Sequence, residues 1–135
     1  MTNPDTTATL TWTRALEFDA RSGSHSLVID SRGQAGPSPI HALAVALAGC
    51  MAIDVVDIVV KGRHALSGLT AELAVERAPS PPRRFVAVEL RFRLTGAVPE
   101  AAVSRAIELS REKYCSVWQS LRQDIAFTTS FEVTP

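Results

Sequence analysis

The chain has 135 residues, 46% of them hydrophobic and 21% charged, which suits one soluble domain with a single core. Its fourteen Lys and Arg balance fourteen Asp and Glu, so no overall field draws it to nucleic acid or an anionic membrane. The opening MTNPDTTATLTW has neither the basic nor the apolar region of a signal peptide, so the expected compartment is the reducing cytosol. There a pair of cysteines points to redox chemistry or metal more than to a structural staple.

The first third reads as strands. TLTWTR (9–14) and LEFDAR (16–21) are short and rich in Thr, Trp and Phe, SGS (22–24) is a turn, and HSLVID (25–30) follows. SRGQAGPS (31–38), with two glycines and a proline, predicts a flexible loop. Ser38 then suits a helix N-cap and Pro39 the first helical position, where no backbone donor is needed. The helix is predicted to run to about Gly62 and to be apolar on nearly every face. Burying all of it in so short a chain calls for a second subunit. By length the same run could cross a bilayer, but Asp54 and Asp57 inside it would each cost roughly 2.5–3.5 kcal/mol near the bilayer centre, so a core helix is expected.

LTAELAVER (69–77) and FVAVELRFRL (85–94) alternate with period two. They place Leu69, Ala71, Leu73 and Val75 on one face of the first strand, and Val86, Val88, Leu90, Phe92 and Leu94 on one face of the second. The proline-rich APSPPRR (78–84) joins them as an antiparallel pair. Residues 95–114 predict a helix with Val103, Ala106, Ile107 and Ser110 on its inner stripe. Ser116 and Gln119 have capping-box spacing, which predicts a break at Cys115 and a short helix from Ser116. IAFTTSFEV (125–133) closes as a strand. The fold class is α+β, with antiparallel sheets on a long central helix in one domain, residues 1–135.

Cys50 and Cys115 are the only cysteines. On a regular helix Asp54, Asp57 and Lys61 fall within about 40° of Cys50, so the thiol shares its stripe with the charges of the helix's second half. Alone, Cys50 reads first as a small buried hydrophobe. Cys115 precedes a capped helix start, where backbone N–H groups favour an anion and predict a lowered thiol pKa. There is no C-x-x-C, and His25, His41 and His64 are scattered, so a metal site is not expected. Gly23, Gly33 and Gly36 form no phosphate loop.

SPIHALAVALAGCMAIDVVDIV (38–59) and, downstream, AIELSREKYCSV (106–117) resemble the OsmC/Ohr superfamily, in its small OsmC-like branch. The resemblance rests on Ser38-Pro39, Gly49-Cys50, Ile53-Asp54-Val55-Val56, Lys61-Gly62-Arg63 and Leu109-Ser110 through Val117, and covers almost the whole chain. It implies an intertwined homodimer and a two-cysteine thiol peroxidase without cofactor or metal. Its substrate would be an organic hydroperoxide and its reductant an external dithiol. Cys50 would be the peroxidatic thiol in an apolar pocket and Cys115 the resolving one.

Peroxidases of the superfamily pair the reactive cysteine with an Arg from the N-terminal region and a Glu near the start of the central helix. Here that start reads Ser38-Pro39-Ile40-His41, without a carboxylate, and His41 lies about 180° from Cys50 around the helix. Arg21 is the candidate cation, with Arg14 and Arg32 open. Glu112, Asp54 and Arg63 lie in matching motifs as groups that could tune a thiolate, or equally as solvated charges. The alternative function is non-catalytic binding of a small hydrophobic or thiol ligand in the dimer-interface pocket.

Overall fold

The structure is a computed structural model and describes residues 2–135. The chain divides into two compact units, Met1–Leu43 and Ala44–Pro135. In the first, β1 (Thr9–Arg14), β2 (Glu17–Ser22) and β3 (His25–Asp30) form an antiparallel meander. Its register puts Trp12, Phe18 and Ile29 in one row across the strands and Leu10, Ala20 and Leu27 in the next, so one face of the sheet is apolar. Leu10, Trp12 and Leu27 on that face are at least half exposed.

The loop after β3, expected to be flexible, is organised by Asp30. Its buried carboxylate accepts the backbone N–H groups of Arg32, Gln34 and Ala35 at 2.9, 3.1 and 3.0 Å. Those donors, Ala35's foremost, hold its pKa below the ordinary carboxylate value. Periodicity carries no signal for such a turn, because one side chain accepts three of its backbone N–H groups. The loop delivers Ser38, whose hydroxyl accepts the N–H of His41 at 3.3 Å and caps α1 (Pro39–Lys61) as expected.

In the second unit, β4 (Ala65–Arg77), β5 (Phe85–Ala97) and β6 (Ala126–Thr134) form a sheet in that order. β4 and β5 pair antiparallel, but β6 runs parallel to β5, so this sheet is mixed where antiparallel pairing alone was expected. The reason is topological: α2 (Glu100–Leu109) and the turns after it carry the chain back along the sheet before β6 begins. Gly96 at φ +134° is required where β5 passes β4, since a Cβ there would run into the carbonyl oxygen of Ala65.

The inner row Val88, Leu90, Phe92 and Leu94 is at most 2% exposed. With α1's stripe Leu47, Met51, Val55 and Val59 and α2's Val103, Ala106 and Ile107 it forms the core. On the outer face Arg93 lies 3.2 Å from Glu72 and 3.3 Å from Glu132, and Arg91 3.2 Å from Glu132, an ion-pair row typical of a wet sheet face.

α1 is buried along one stripe rather than all round. Val45, Ile53 and Val60 are 69%, 70% and 52% exposed, a row of large apolar side chains facing out. The helix is long and apolar enough to cross a membrane. Its stripe from Leu47 to Val59 nonetheless belongs to the core of the second unit.

Candidate active site

Both cysteines lie in the second unit, and both are free thiols. Cys50 stands at the middle of α1, half-buried, between the fully buried Leu47 and Met51. It therefore sits at the margin of the core stripe, with the apolar helix body behind it. Gly49 beside it has nothing within 4 Å of where a Cβ would stand.

Cys115 reaches Cys50 through a change of helix type. After α2 the chain takes one π-helical turn, Ser110–Tyr114, closed by the bond from the Cys115 N–H to the Ser110 carbonyl at 2.8 Å. A π turn inserts one residue into the helical count and turns every later side chain by about 100°. Cys115 then leaves the helix at φ −75°, ψ 96° and starts α3 (Ser116–Gln119). Its sulfur accepts the N–H of Trp118 at 3.3 Å, so Cys115, not Ser116, is the N-cap. The break at Cys115 is where the sequence puts it, but the capping box does not form. Gln119 donates instead to the carbonyls of Arg111 at 2.9 Å and Glu112 at 3.4 Å, which the end of the π turn leaves without helical partners.

Cys115 is completely buried, and burial pushes its thiol up from the ordinary 9.0 to about 11. The Trp118 N–H opposes this rise, while Cys50, as hydrogen-bond partner and neighbouring charge, adds to it. The expectation of an acidic Cys115 is thus overturned: a one-turn helix start supplies too little to offset desolvation. The same interaction makes the two thiols neighbours. At neutral pH Cys115 is protonated.

Three features around the pair carry no sequence signature. Ser110, fully buried, donates its hydroxyl to the Asp54 carboxylate at 2.8 Å, tying the π turn to α1 one turn beyond Cys50. Trp118 packs on Phe127 with ring centroids 4.5 Å apart. The Arg111 guanidinium lies over both rings, 4.8 Å from the centroid of Phe127 and 5.9 Å from that of Trp118. A Ser on the inner stripe of a helix says only that a buried hydroxyl needs a partner, not which one.

Glu112 is placed elsewhere. It lines a groove of about 520 Å³ with Ser104, Glu108, Arg111 and Thr129, which neither cysteine lines. Arg21 belongs to the first unit, where its side chain is 70% exposed and 3.6 Å from Asp19. Arg14 pairs with Glu17 at 3.3 Å. Arg63 follows α1 in a left-handed conformation, φ 64°.

Two open apolar grooves run along α1, and neither is the pocket expected at Cys50. One of about 410 Å³ is lined by Ala44, Val45, Ala48, Gly49, Ala52, Ala71 and Leu73. The other, of about 420 Å³, is lined by Ala52, Ile53, Val56, Asp57 and Val60, and the thiol lines neither. Among the described residues no cluster of three His, Cys, Asp or Glu side chains has the proximity to hold a metal ion.

Comparison with known proteins agrees with this architecture. Protein YhfA of Escherichia coli K12 is 40% identical over 129 residues, 93% of this chain and 96% of that protein. A hypothetical protein from Aquifex aeolicus VF5 superposes with a TM-score of 0.90 at 24% identity, over 98% of each chain. An organic hydroperoxide resistance protein, OsmC, from Legionella pneumophila does so with a TM-score of 0.71 at 16% identity, over 96% of this chain and 98% of that one. The profile of OsmC-like proteins matches residues 31–130, a span that holds both thiols, the π turn and the Asp54–Ser110 bond, and the chain belongs to that family.

Proposed function

We propose that the protein is a thiol-dependent hydroperoxide reductase of the oxidative stress response, acting in the reducing cytosol. The observation that carries this reading is the juxtaposition of a half-exposed Cys50 with a buried, protonated Cys115. The Cys50 thiolate attacks the outer oxygen of ROOH. The O–O bond breaks, ROH leaves after taking up a proton, and Cys50 becomes a sulfenic acid. The Cys115 sulfur then displaces the sulfenic oxygen as water and forms a disulfide with Cys50. An external dithiol returns both thiols, becoming a disulfide itself. Arg21 is the proposed cation for the thiolate, and Glu112 a charge that could tune it.

A homodimer belongs to the proposal. A second copy laid on the exposed row Val45, Ile53 and Val60 would bury that row and close the grooves into an apolar pocket suited to an alkyl hydroperoxide.

The test is consumption of cumene hydroperoxide and of hydrogen peroxide with excess dithiol, against Cys50→Ser and Cys115→Ser. The organic substrate is expected to be preferred, Cys50→Ser to be inactive, and Cys115→Ser to accumulate a dimedone-reactive sulfenate on Cys50. Consumption equal to that of Cys50→Ser ends the peroxidase reading. The apolar grooves and the carboxylate-free start of α1 then favour the second reading, a protein that binds a small hydrophobic or thiol ligand without turnover.

A further inference from the structure

The Cys115 segment is held together internally. The Cys115 N–H bonds the Ser110 carbonyl, its carbonyl takes the N–H of Gln119 at 3.0 Å, and its sulfur takes the N–H of Trp118. All these bonds stay within residues 110–119 and would travel with the segment if it shifted along α1. Only one side-chain hydrogen bond among the described residues links α1 to this segment, that of Ser110 to Asp54. Asp54 is one helical turn from Cys50, on the same side of α1. Ser110 is the residue whose carbonyl closes the π turn on Cys115.

Neither partner is spent elsewhere: among the described residues no basic group lies within ion-pair distance of Asp54, Lys61 being paired with Asp57, and Ser110 is sealed from solvent, where an unmade bond is costly. A buried hydroxyl facing a carboxylate makes a short, charge-assisted bond with one preferred geometry, which sets the register of one element on the other.

We propose that Asp54 and Ser110 are positioning residues for the thiol pair: their bond locks the π turn onto α1 in the register that sets Cys115 beside Cys50. The inference rests on the reading of the two cysteines as a redox pair, but not on peroxide being the oxidant. It concerns the ease with which the Cys50–Cys115 disulfide closes, and leaves the first attack by Cys50 untouched.

The closing equilibrium is measured directly on the full chain in mixtures of reduced and oxidised glutathione. There the two thiols give up two electrons and two protons, and glutathione disulfide becomes two glutathione thiols. Ser110→Ala and Asp54→Ala are each expected to lower the equilibrium constant for the intramolecular disulfide by about tenfold, the worth of one buried charge-assisted bond. The double variant should be no worse than either single one, since they act as one unit. Asp54→Asn keeps an oxygen that can accept the Ser110 hydroxyl and is expected to stay within about threefold of the unmodified chain.

Loss of thermal stability alone, with the equilibrium constant unchanged in Ser110→Ala, overturns the proposal and leaves the pair standing. So does an Asp54→Asn variant that falls as far as Asp54→Ala. An unmodified chain that forms no Cys50–Cys115 disulfide overturns both the clamp and the pair. Peroxide consumption by the same preparation judges the peroxidase reading separately.

Discussion

The β4–β6 sheet and the β1–β3 sheet carry apolar rows of similar composition that end in opposite states. In the second unit Val88, Leu90, Phe92 and Leu94 are sealed, at most 2% exposed. In the first, Leu10, Trp12 and Leu27 are 52%, 65% and 50% exposed, although their register is as regular. Period-two alternation therefore says which face of a sheet is apolar, and not whether the chain itself covers that face. The outer row of α1 teaches the same lesson on a helix, with Ile53 at 70% exposure against none for Met51 two residues earlier.

Core truncation should separate the two sheets most sharply. Phe92→Ala removes a fully buried ring and is expected to cost about 3–5 kcal/mol at every protein concentration, enough to unfold much of the chain. Trp12→Ala, at 65% exposure, is expected to cost under about 1 kcal/mol in dilute solution, and more as concentration rises if a second copy covers that face. Urea unfolding over a hundredfold range of protein concentration reads both. Equal, concentration-independent losses would erase the contrast.

The response to pH should divide the units next. Asp30 is held below its ordinary value of 3.8, so its contribution is full above that value and fades as the pH falls through the lower folded pKa. Cys115 is raised, so its contribution is full below 9.0 and is lost as the pH climbs toward about 11. Alkali should thus act on the second unit alone through Cys115, and acid on the first through Asp30 and on the second only through the exposed Asp124, lowered by its bond to Arg122. Trp12 and Trp118 stand one in each unit, and single-tryptophan variants followed by fluorescence can report the two limbs separately. Asp30→Asn should flatten the acid limb, and Cys115→Ala the alkaline limb of the reduced protein. An alkaline limb that survives Cys115→Ala would show that burial of this thiol does not cause it.

The smallest effect is the most diagnostic for the outer face of α1. A Cβ at Gly49 meets nothing within 4 Å, so in a lone chain Gly49→Ala should stabilise the helix by about 0.5–1 kcal/mol. If a second copy packs closely along Ala48, Gly49 and Ala52, the same methyl group will weaken association instead. Sedimentation together with thermal unfolding distinguishes the outcomes.

Local rules were enough for much of this protein. The strands, the start of α1 at Ser38-Pro39, the inner stripe of α2 and the break at Cys115 all follow from side-chain period, caps and turn residues, because each depends on contacts within a few residues. The motifs around Cys50 and Cys115 also marked the family. What those rules could not supply depends on residues far apart in the chain: β6 lying parallel to β5, the π turn that re-aims Cys115, its burial and raised pKa, and the Asp54–Ser110 bond across 56 positions. A thiol's ionisation follows from the matter packed around it, and a hydroxyl's partner from which element lies opposite. Neither is written in the neighbouring letters, and only the tertiary structure decides them.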